Sequence, residues 1–203
     1  MSEFDGRAQD WDLNIVHVKR SEAVAEVLQN TIFLKKKMSA MEYGAGTGLL
    51  SFILKDRLSR ITLFDKSRDM VRVAQDKIAA AEVTNMRAFC IDLENENFSD
   101  TFDIIYSQMV MHHVENVQTV LSKFYQMLNS GGYLAIADLF AEDGTFHEDG
   151  FTGHLGFDCD ELVLLLQKIG FVNVSYKQCY VLYKTNTAGT EKGYPIFLLT
   201  ASK

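Results

Sequence analysis

Residues 38–50 read Met-Ser-Ala-Met-Glu-Tyr-Gly-Ala-Gly-Thr-Gly-Leu-Leu, and this stretch decides the fold. A short apolar run reaches Glu42, three glycines follow at alternate positions, and a helical pattern starts at Leu49. The order predicts a strand, a tight turn and a helix. Glycine at 44 lets the chain turn, and glycine at 46 removes a side chain that would keep a ligand off the backbone. The following helix would present free N–H groups and the positive end of its dipole to that ligand.

The glycine spacing narrows the class of ligand. Dinucleotide sites carry G-x-G-x-x-G, whereas the glycines here stand at 44, 46 and 48 and position 49 is Leu. Glu42, just before the turn, suits a ligand with positive charge or hydroxyl groups. The string resembles motif I of class I S-adenosylmethionine-dependent methyltransferases, roughly (D/E)-x-G-x-G-x-G. The resemblance implies S-adenosylmethionine as the cofactor and S-adenosylhomocysteine as the product.

Composition excludes several other classes. At 203 residues the chain has the length of one domain, and its net charge of −7 argues against a nucleic-acid partner. The apolar runs are shorter than the roughly 18 residues of a membrane span, and residues 1–12 do not resemble a signal peptide. Three cysteines without C-x-x-C spacing indicate free thiols in a reducing compartment. We therefore expect a cytoplasmic monomer or homodimer that acts on a small molecule, away from membranes.

Apolar periodicity predicts helices alternating with strands. Helices are expected at about 21–35, 49–57, 67–81, 117–128 and 162–169, with Ser67 as an N-cap and Gly131-Gly132 as a C-cap. Strands are expected at 38–43, 61–64, 86–91, 102–106, 133–139, 171–183 and 196–201. The last two strands, joined by residues 184–193, should form an antiparallel pair. The fold class is therefore α/β: a three-layer, doubly wound, seven-stranded sheet that is mostly parallel and ends antiparallel, as in the Rossmann-like methyltransferase fold.

A single methyltransferase domain, 1–203, is expected to have three parts. Residues 1–36 would form an N-terminal cap and helix, 37–140 the cofactor-binding core, and 141–203 a lid and the hairpin that completes the sheet.

Carboxylates stand at the ends of consecutive strands, where open α/β sheets bind ligands. Asp65 lies 21 residues after Gly44, which suits hydrogen bonds to both hydroxyls of a ribose; otherwise it flanks the helix capped by Ser67. The resemblance implies that Asp92 binds the adenine amino group and that the backbone beside it also contacts the adenine ring. It further implies that the backbone after strand four faces the methionine end of the cofactor. The expected cofactor-binding residues are Glu42, Gly44, Ala45, Gly46, Gly48, Asp65, Lys66, Met70, Asp92, Leu93, Ser107 and Gln108. For Met70, a place in the core is the favoured alternative.

The resemblance extends over residues 42–139. His112-His113-Val114 and the stretch 128–134 are similar to the small-molecule group that includes the ubiquinone and menaquinone biosynthesis methyltransferases. Phe4-Asp5-x-x-Ala8-x-x-Trp11-Asp12 resembles the segment that often caps the active site in that group. Trp11 would then either line the lid or anchor the first segment on the core.

Missing motifs narrow the acceptor. Amino-methylating enzymes carry (D/N)-P-P-Y after strand four, where this chain has Ser107-Gln108-Met109-Val110. A Pro-Cys nucleophile is also absent from the sequence, as are the metal-binding carboxylates that catechol-type enzymes place after strand four. We expect a small-molecule acceptor and no metal.

The nineteen residues 140–158 are long for a connection and predict a lid over the acceptor. Histidine is the natural base near neutral pH. His154 and His113 are the candidate catalytic bases, with helix-end packing as the alternative for His113. The expected substrate-side residues are Trp11, Met109, His112, Phe140, Phe146 and His147. Two other functions remain open: a non-catalytic module or partner subunit that senses S-adenosylmethionine, and a nicotinamide oxidoreductase, which the glycine spacing disfavours.

Overall fold

The computed structural model describes residues 6–147, 150–185 and 189–203, and within them a seven-stranded sheet lies between two layers of helices. The strands are β1 (Ser39–Tyr43), β2 (Arg60–Asp65), β3 (Met86–Cys90), β4 (Phe102–Gln108), β5 (Leu128–Leu139), β6 (Val172–Thr185) and β7 (Glu191–Ser202). The helices are α1 (Ile15–Thr31), α2 (Leu49–Leu54), α3 (Arg68–Ala80), α4 (Val117–Met127) and α5 (Cys159–Ile169), with short 3-10 helices at Ala8–Leu13, Lys55–Arg57 and Met111–His113.

The strands lie in the order β3-β2-β1-β4-β5-β7-β6. The first five pair in parallel, while β7 is antiparallel to both β5 and β6. This confirms the predicted fold class. The strand order reverses between β1 and β4, so a crevice opens at their carboxyl ends.

Successive side chains along each strand point to opposite faces of the sheet, so a core forms on each side of it. In β1, Ala40 belongs to the cluster under α1, α2 and α3, and Met41 belongs to the cluster under α4 and α5. Both residues are fully buried, as expected for a parallel strand covered on both faces.

Several predicted boundaries are wrong. Strand β5 begins at 128 and not at 133, because Leu128 pairs with β4, and β7 begins at 191 and not at 196, because its first residues pair with β6. Helix α1 begins at Ile15, capped by the Asn14 side chain, and ends at Thr31, so it covers 15–31 and not 21–35. Gly131-Gly132 do not cap a helix, since α4 ends at Met127 and the glycines lie inside β5. There Gly131 N–H donates to Lys203 O at 2.9 Å, which ties the strand to the chain terminus.

The predicted cap at Ser67 is confirmed: its hydroxyl accepts from Met70 N–H at 3.3 Å. In the part of the chain that the structure describes, no helix combines the length and apolarity needed to cross a membrane.

Candidate active site

A cavity of about 950 Å³ opens at the carboxyl ends of β1, β2 and β4. Its floor is the turn after β1. Its walls come from the first two helical segments, the exit of β4, the end of β6 and four loop residues, Phe146, His147, Gly150 and Phe151. Ligand pockets in proteins span roughly 300–1,000 Å³, so the cavity can hold a cofactor together with a second reactant.

The glycine turn brings the backbone to the cavity floor. Gly44 has φ +65°, and a Cβ there would lie 2.2 Å from Cγ2 of Val110, so the exit of β4 packs directly on the turn. Gly46 has φ +54°, and its Cβ would meet Sδ of Met70 at 3.8 Å and Nε1 of Trp11 at 3.9 Å. A side chain at 46 would fill the space between Trp11 and Met70 that a ligand can use.

Asp65, the last residue of β2, is hydrogen-bonded to the glycine turn that follows β1. One carboxylate oxygen accepts from Gly46 N–H at 2.7 Å and the other from Ser67 N–H at 2.8 Å. The carboxylate is only partly buried and lines the cavity. Each oxygen can accept more than one hydrogen bond, so the group remains able to bind ligand hydroxyls.

Glu42 lies beneath the same turn and is 2% exposed. Burial raises the pKa of its carboxyl to about 8, although a hydrogen bond from the Ser51 hydroxyl opposes the shift. Ser51 also shares a 2.7 Å hydrogen bond with Tyr106. The site therefore holds a carboxyl that is protonated at neutral pH and adjoins the ligand space.

The N-terminal 3-10 helix covers the cavity from one side. Thr47 donates to Asp12 at 2.5 Å, and Lys77 binds both Asp12 and the carbonyl of Thr47. The ring of Trp11 lies 4.0 Å from that of His17. Phe4 and Asp5 of the predicted capping motif lie outside the described residues.

His112, which also lines the cavity, forms a buried pair with Asp138. Nδ1 of His112 lies 2.6 Å from Oδ1 of Asp138, and both side chains are at most 2% exposed. Asp138 also accepts from the backbone N–H groups of Met111 and Leu139, at 2.9 and 2.8 Å. Burial works to raise the pKa of Asp138, but the His112 charge and these hydrogen bonds outweigh it and lower the pKa.

His113 and His147 crowd around this pair, with ring centroids 4.2 and 5.0 Å from that of His112. Burial, together with the neighbouring imidazoles, lowers the pKa of His113 to about 3 and that of His147 to about 4. His147 stacks on Phe151 at 3.6 Å. In 6–147, 150–185 and 189–203, no group of three or more His, Cys, Asp or Glu side chains could hold a metal ion.

The structure brings most of the predicted residues together. Those that line the cavity are Trp11, Glu42, Gly44, Ala45, Gly46, Asp65, Lys66, Met70, Gln108, Met109, His112, His113, Phe146 and His147. Met109 has φ +55°, an uncommon backbone conformation that tends to occur at functional sites.

The remaining predicted residues lie outside the lining: Gly48, Asp92, Leu93, Ser107, Phe140 and His154. Asp92 instead accepts from Glu94 N–H and from the Asn95 amide, at 3.0 and 2.8 Å. His154 is held to the loop after β4, with Nε2 3.0 Å from the carbonyl of Val114. Its position gives no support to a role as the catalytic base.

Sequence reasoning missed two charged residues. Asp138 stands in the apolar run 134–139, and a lone carboxylate in a buried strand was a readable signal. Arg20 is 6% exposed and lines the cavity. It was missed because the predicted helix began at 21, one residue too late to include it.

Comparisons with known proteins agree with this architecture. Residues 41–136 match the family described as methyltransferase domain. An uncharacterized methyltransferase of Schizosaccharomyces pombe is 29% identical over 161 residues, 71% of this chain and 57% of that protein. A malonyl-[acyl-carrier protein] O-methyltransferase of Acetivibrio thermocellus is 26% identical, over 66% of this chain and 47% of the relative. The chain thus spans about half the length of these curated relatives.

A solved structure of similar fold is a SAM-dependent methyltransferase from Aquifex aeolicus. It superposes with a TM-score of 0.66 at 19% identity and covers 89% of each chain. The curated relatives and the sheet order agree with the domain match: residues 41–136 form a methyltransferase domain, and the fold is similar to that of a SAM-dependent methyltransferase.

Proposed function

We propose that this protein transfers a methyl group from S-adenosylmethionine to a small-molecule acceptor by in-line displacement, without a metal. One observation carries the proposal: a single cavity is lined by the glycine turn and Asp65 and also by His112, whose ring is paired with Asp138 behind it. A cofactor would require the first group of residues and an acceptor the second.

The cofactor half fits S-adenosylmethionine. The space over Gly46 would take the ligand backbone, and Asp65 would accept from the ribose hydroxyls. Gln108 offers an Oε1 that is buried and has no hydrogen-bond partner in the described ranges. Asp92 lies outside the lining, so we assign the adenine side to its neighbours Ile91 and Glu94, which do line the cavity.

When bound, S-adenosylmethionine supplies a methyl group already activated on a positively charged sulfur, so the protein mainly aligns the two reactants. Orientation of this kind can contribute about 7–11 kcal/mol. The enclosing segments, the N-terminal 3-10 helix and the residues around Phe146, would also limit access of water.

We place the general base at His112 and not at His154 or His113. A carboxylate on Nδ1 orients an imidazole and leaves Nε2 to accept a proton from an acceptor hydroxyl or amine. His113 is a poor base at neutral pH because of its depressed pKa of about 3.

Substitution tests this assignment. His112→Gln should lower turnover by roughly 10²–10⁴-fold, the usual contribution of a general base, with little change in S-adenosylmethionine affinity. His154→Gln is the matched control and should retain most of the turnover. A larger loss in His154→Gln than in His112→Gln would contradict the assignment.

The function as a whole is tested by incubating the protein with tritiated S-adenosylmethionine and a metabolite extract. Label should appear in the low-molecular-mass fraction. Label found only on protein would favour a carrier-bound acceptor, like that named for the Acetivibrio thermocellus relative. Tight cofactor binding without any transfer would favour a non-catalytic sensing module.

A further inference from the structure

Arg20 is a charged side chain buried in the cavity wall without a hydrogen-bond partner at one of its donors. It projects from α1, is 6% exposed and lines the cavity. No acceptor among residues 6–147, 150–185 and 189–203 reaches its Nε, which is itself buried. Guanidinium groups are costly to bury unless they are paired, so this arrangement calls for an anion.

The protein carboxylate that acts on Arg20 does not satisfy it. Asp138 is the group whose negative charge favours the ionised form of Arg20. Asp138, however, already holds His112 at 2.6 Å and accepts backbone N–H groups on both of its oxygens. Burial lowers the pKa of Arg20 to about 10, so the side chain keeps its charge at neutral pH.

Charged side chains of both signs line the cavity. The carboxylates of Asp65 and Glu94 lie at the carboxyl end of β2 and in the loop after β3, and Lys66 lies beside Asp65. The charge of Asp138 of β5 acts on Arg20, and Lys184 of β6 also lines the cavity. Away from the glycine turn, the lining therefore includes two basic side chains, one from α1 and one from β6.

A second unpartnered atom belongs to a residue of the cavity lining. Nε2 of His147 is buried and has no hydrogen-bond partner in the described ranges. Lys184 approaches the ring of the adjacent Phe146 at 5.2 Å and donates to its carbonyl at 2.6 Å. The Lys184 cation and the unpartnered imidazole nitrogen of His147 therefore both lie beside Phe146 in the cavity lining.

We propose that Arg20 binds an acidic group of the acceptor, a carboxylate or a phosphate, and so selects anionic acceptors. The inference rests on the proposed methyl transfer. A guanidinium fork matches both kinds of oxyanion in a two-point contact, which would fix the orientation of the acceptor. The rival source of the anion is the carboxylate of S-adenosylmethionine itself.

The test separates acceptors by charge. A metabolite extract is split by anion exchange into retained and unretained fractions, and each is assayed with tritiated S-adenosylmethionine. Wild-type protein should label the retained fraction. Treating that fraction with alkaline phosphatase before the assay should abolish labelling for a phosphate and leave it intact for a carboxylate. Labelling confined to the unretained fraction would overturn the inference, whereas labelling of no fraction would count against methyl transfer itself.

Variants of Arg20 supply the second arm. Arg20→Gln should raise KM for the retained fraction by about tenfold to a hundredfold, as expected for loss of a hydrogen bond to a charged group. Arg20→Lys should recover part of this loss, and Lys19→Gln removes an exposed charge from the same helix as a control. Titration calorimetry should give unchanged S-adenosylmethionine affinity in Arg20→Gln; a tenfold loss there would assign Arg20 to the cofactor carboxylate and overturn the inference.

Discussion

Glu42 is a carboxyl group held in the core beside Ser51, with its pKa raised to about 8 by burial. In the unfolded chain the same group titrates near its ordinary value of 4.5. Between these two values the unfolded chain has released a proton that the folded protein keeps, so stability falls as pH rises. The loss is at most about 1.4 kcal/mol for each pH unit.

Glu42→Gln should remove this pH dependence. Thermal unfolding of the ligand-free protein, followed from pH 5 to pH 8, should show the wild-type midpoint falling relative to that of the variant. Glu22→Gln, at an exposed position on α1, should follow the wild type. Parallel curves for Glu42→Gln and the wild type would show that Glu42 is ionised in the folded protein.

At single residues, sequence reasoning located a side chain where its location follows from local position. Asp65 lines the cavity because it ends a strand beside the glycine turn, and both facts can be read from spacing. His154, by contrast, lies outside the cavity lining, because side-chain direction in a long loop depends on contacts such as that with Val114. Arg20 could not have been found without the packing of α1 over the sheet.

Among the elements, the N-terminal 3-10 helix is joined to the glycine turn and to α3 by one carboxylate. Asp12 joins it to Thr47 of the glycine turn and to Lys77 of α3. Partly exposed ion pairs contribute only about 0–1 kcal/mol, so Asp12→Asn should scarcely change the unfolding midpoint. It should free the segment over Gly46, increase hydrogen exchange at residues 8–13 and weaken S-adenosylmethionine binding by up to about fivefold.

Asp76→Asn is the matched control, because it removes an exposed carboxylate next to Lys77 without touching this network. Unchanged exchange at residues 8–13 in Asp12→Asn would mean that the segment is held by Trp11 and its neighbours instead.

The predicted boundaries of helices and strands are wrong where the local preference of a residue disagrees with the strand pairing that it makes in the folded protein. Two adjacent glycines usually stop a helix, but Gly131 and Gly132 continue β5 because Lys203 bonds to both of them. The first turn of α1 was not predicted from the apolar periodicity, because Ile15 is exposed and does not belong to the buried face of the helix. Strands with continuous apolar runs, such as β1 and β4, were placed well because burial on both faces leaves a clear pattern.

At the scale of the whole molecule, the topology of the sheet was predictable from the sequence, but the walls of the cavity were not. The alternation of helices and strands determines the topology, whereas the walls join segments far apart in sequence, near Trp11, Phe146 and Lys184. Their contacts exist only once the sheet is assembled, with β7 inserted between β5 and β6.

A cavity shared by so many elements should couple ligand binding to global stability. At a hundredfold excess over its dissociation constant, S-adenosylmethionine should stabilise the protein by about 2.7 kcal/mol and raise the unfolding midpoint by about 5–10 °C. NAD should give no shift, since the glycines at 44, 46 and 48 do not follow the dinucleotide spacing.

The Asp65→Ala variant should need roughly tenfold more S-adenosylmethionine for the same shift, because a charged acceptor for the ribose hydroxyls is lost. A shift with NAD and none with S-adenosylmethionine would refute the assignment of the cavity, and an unchanged response in Asp65→Ala would remove that residue from the ribose.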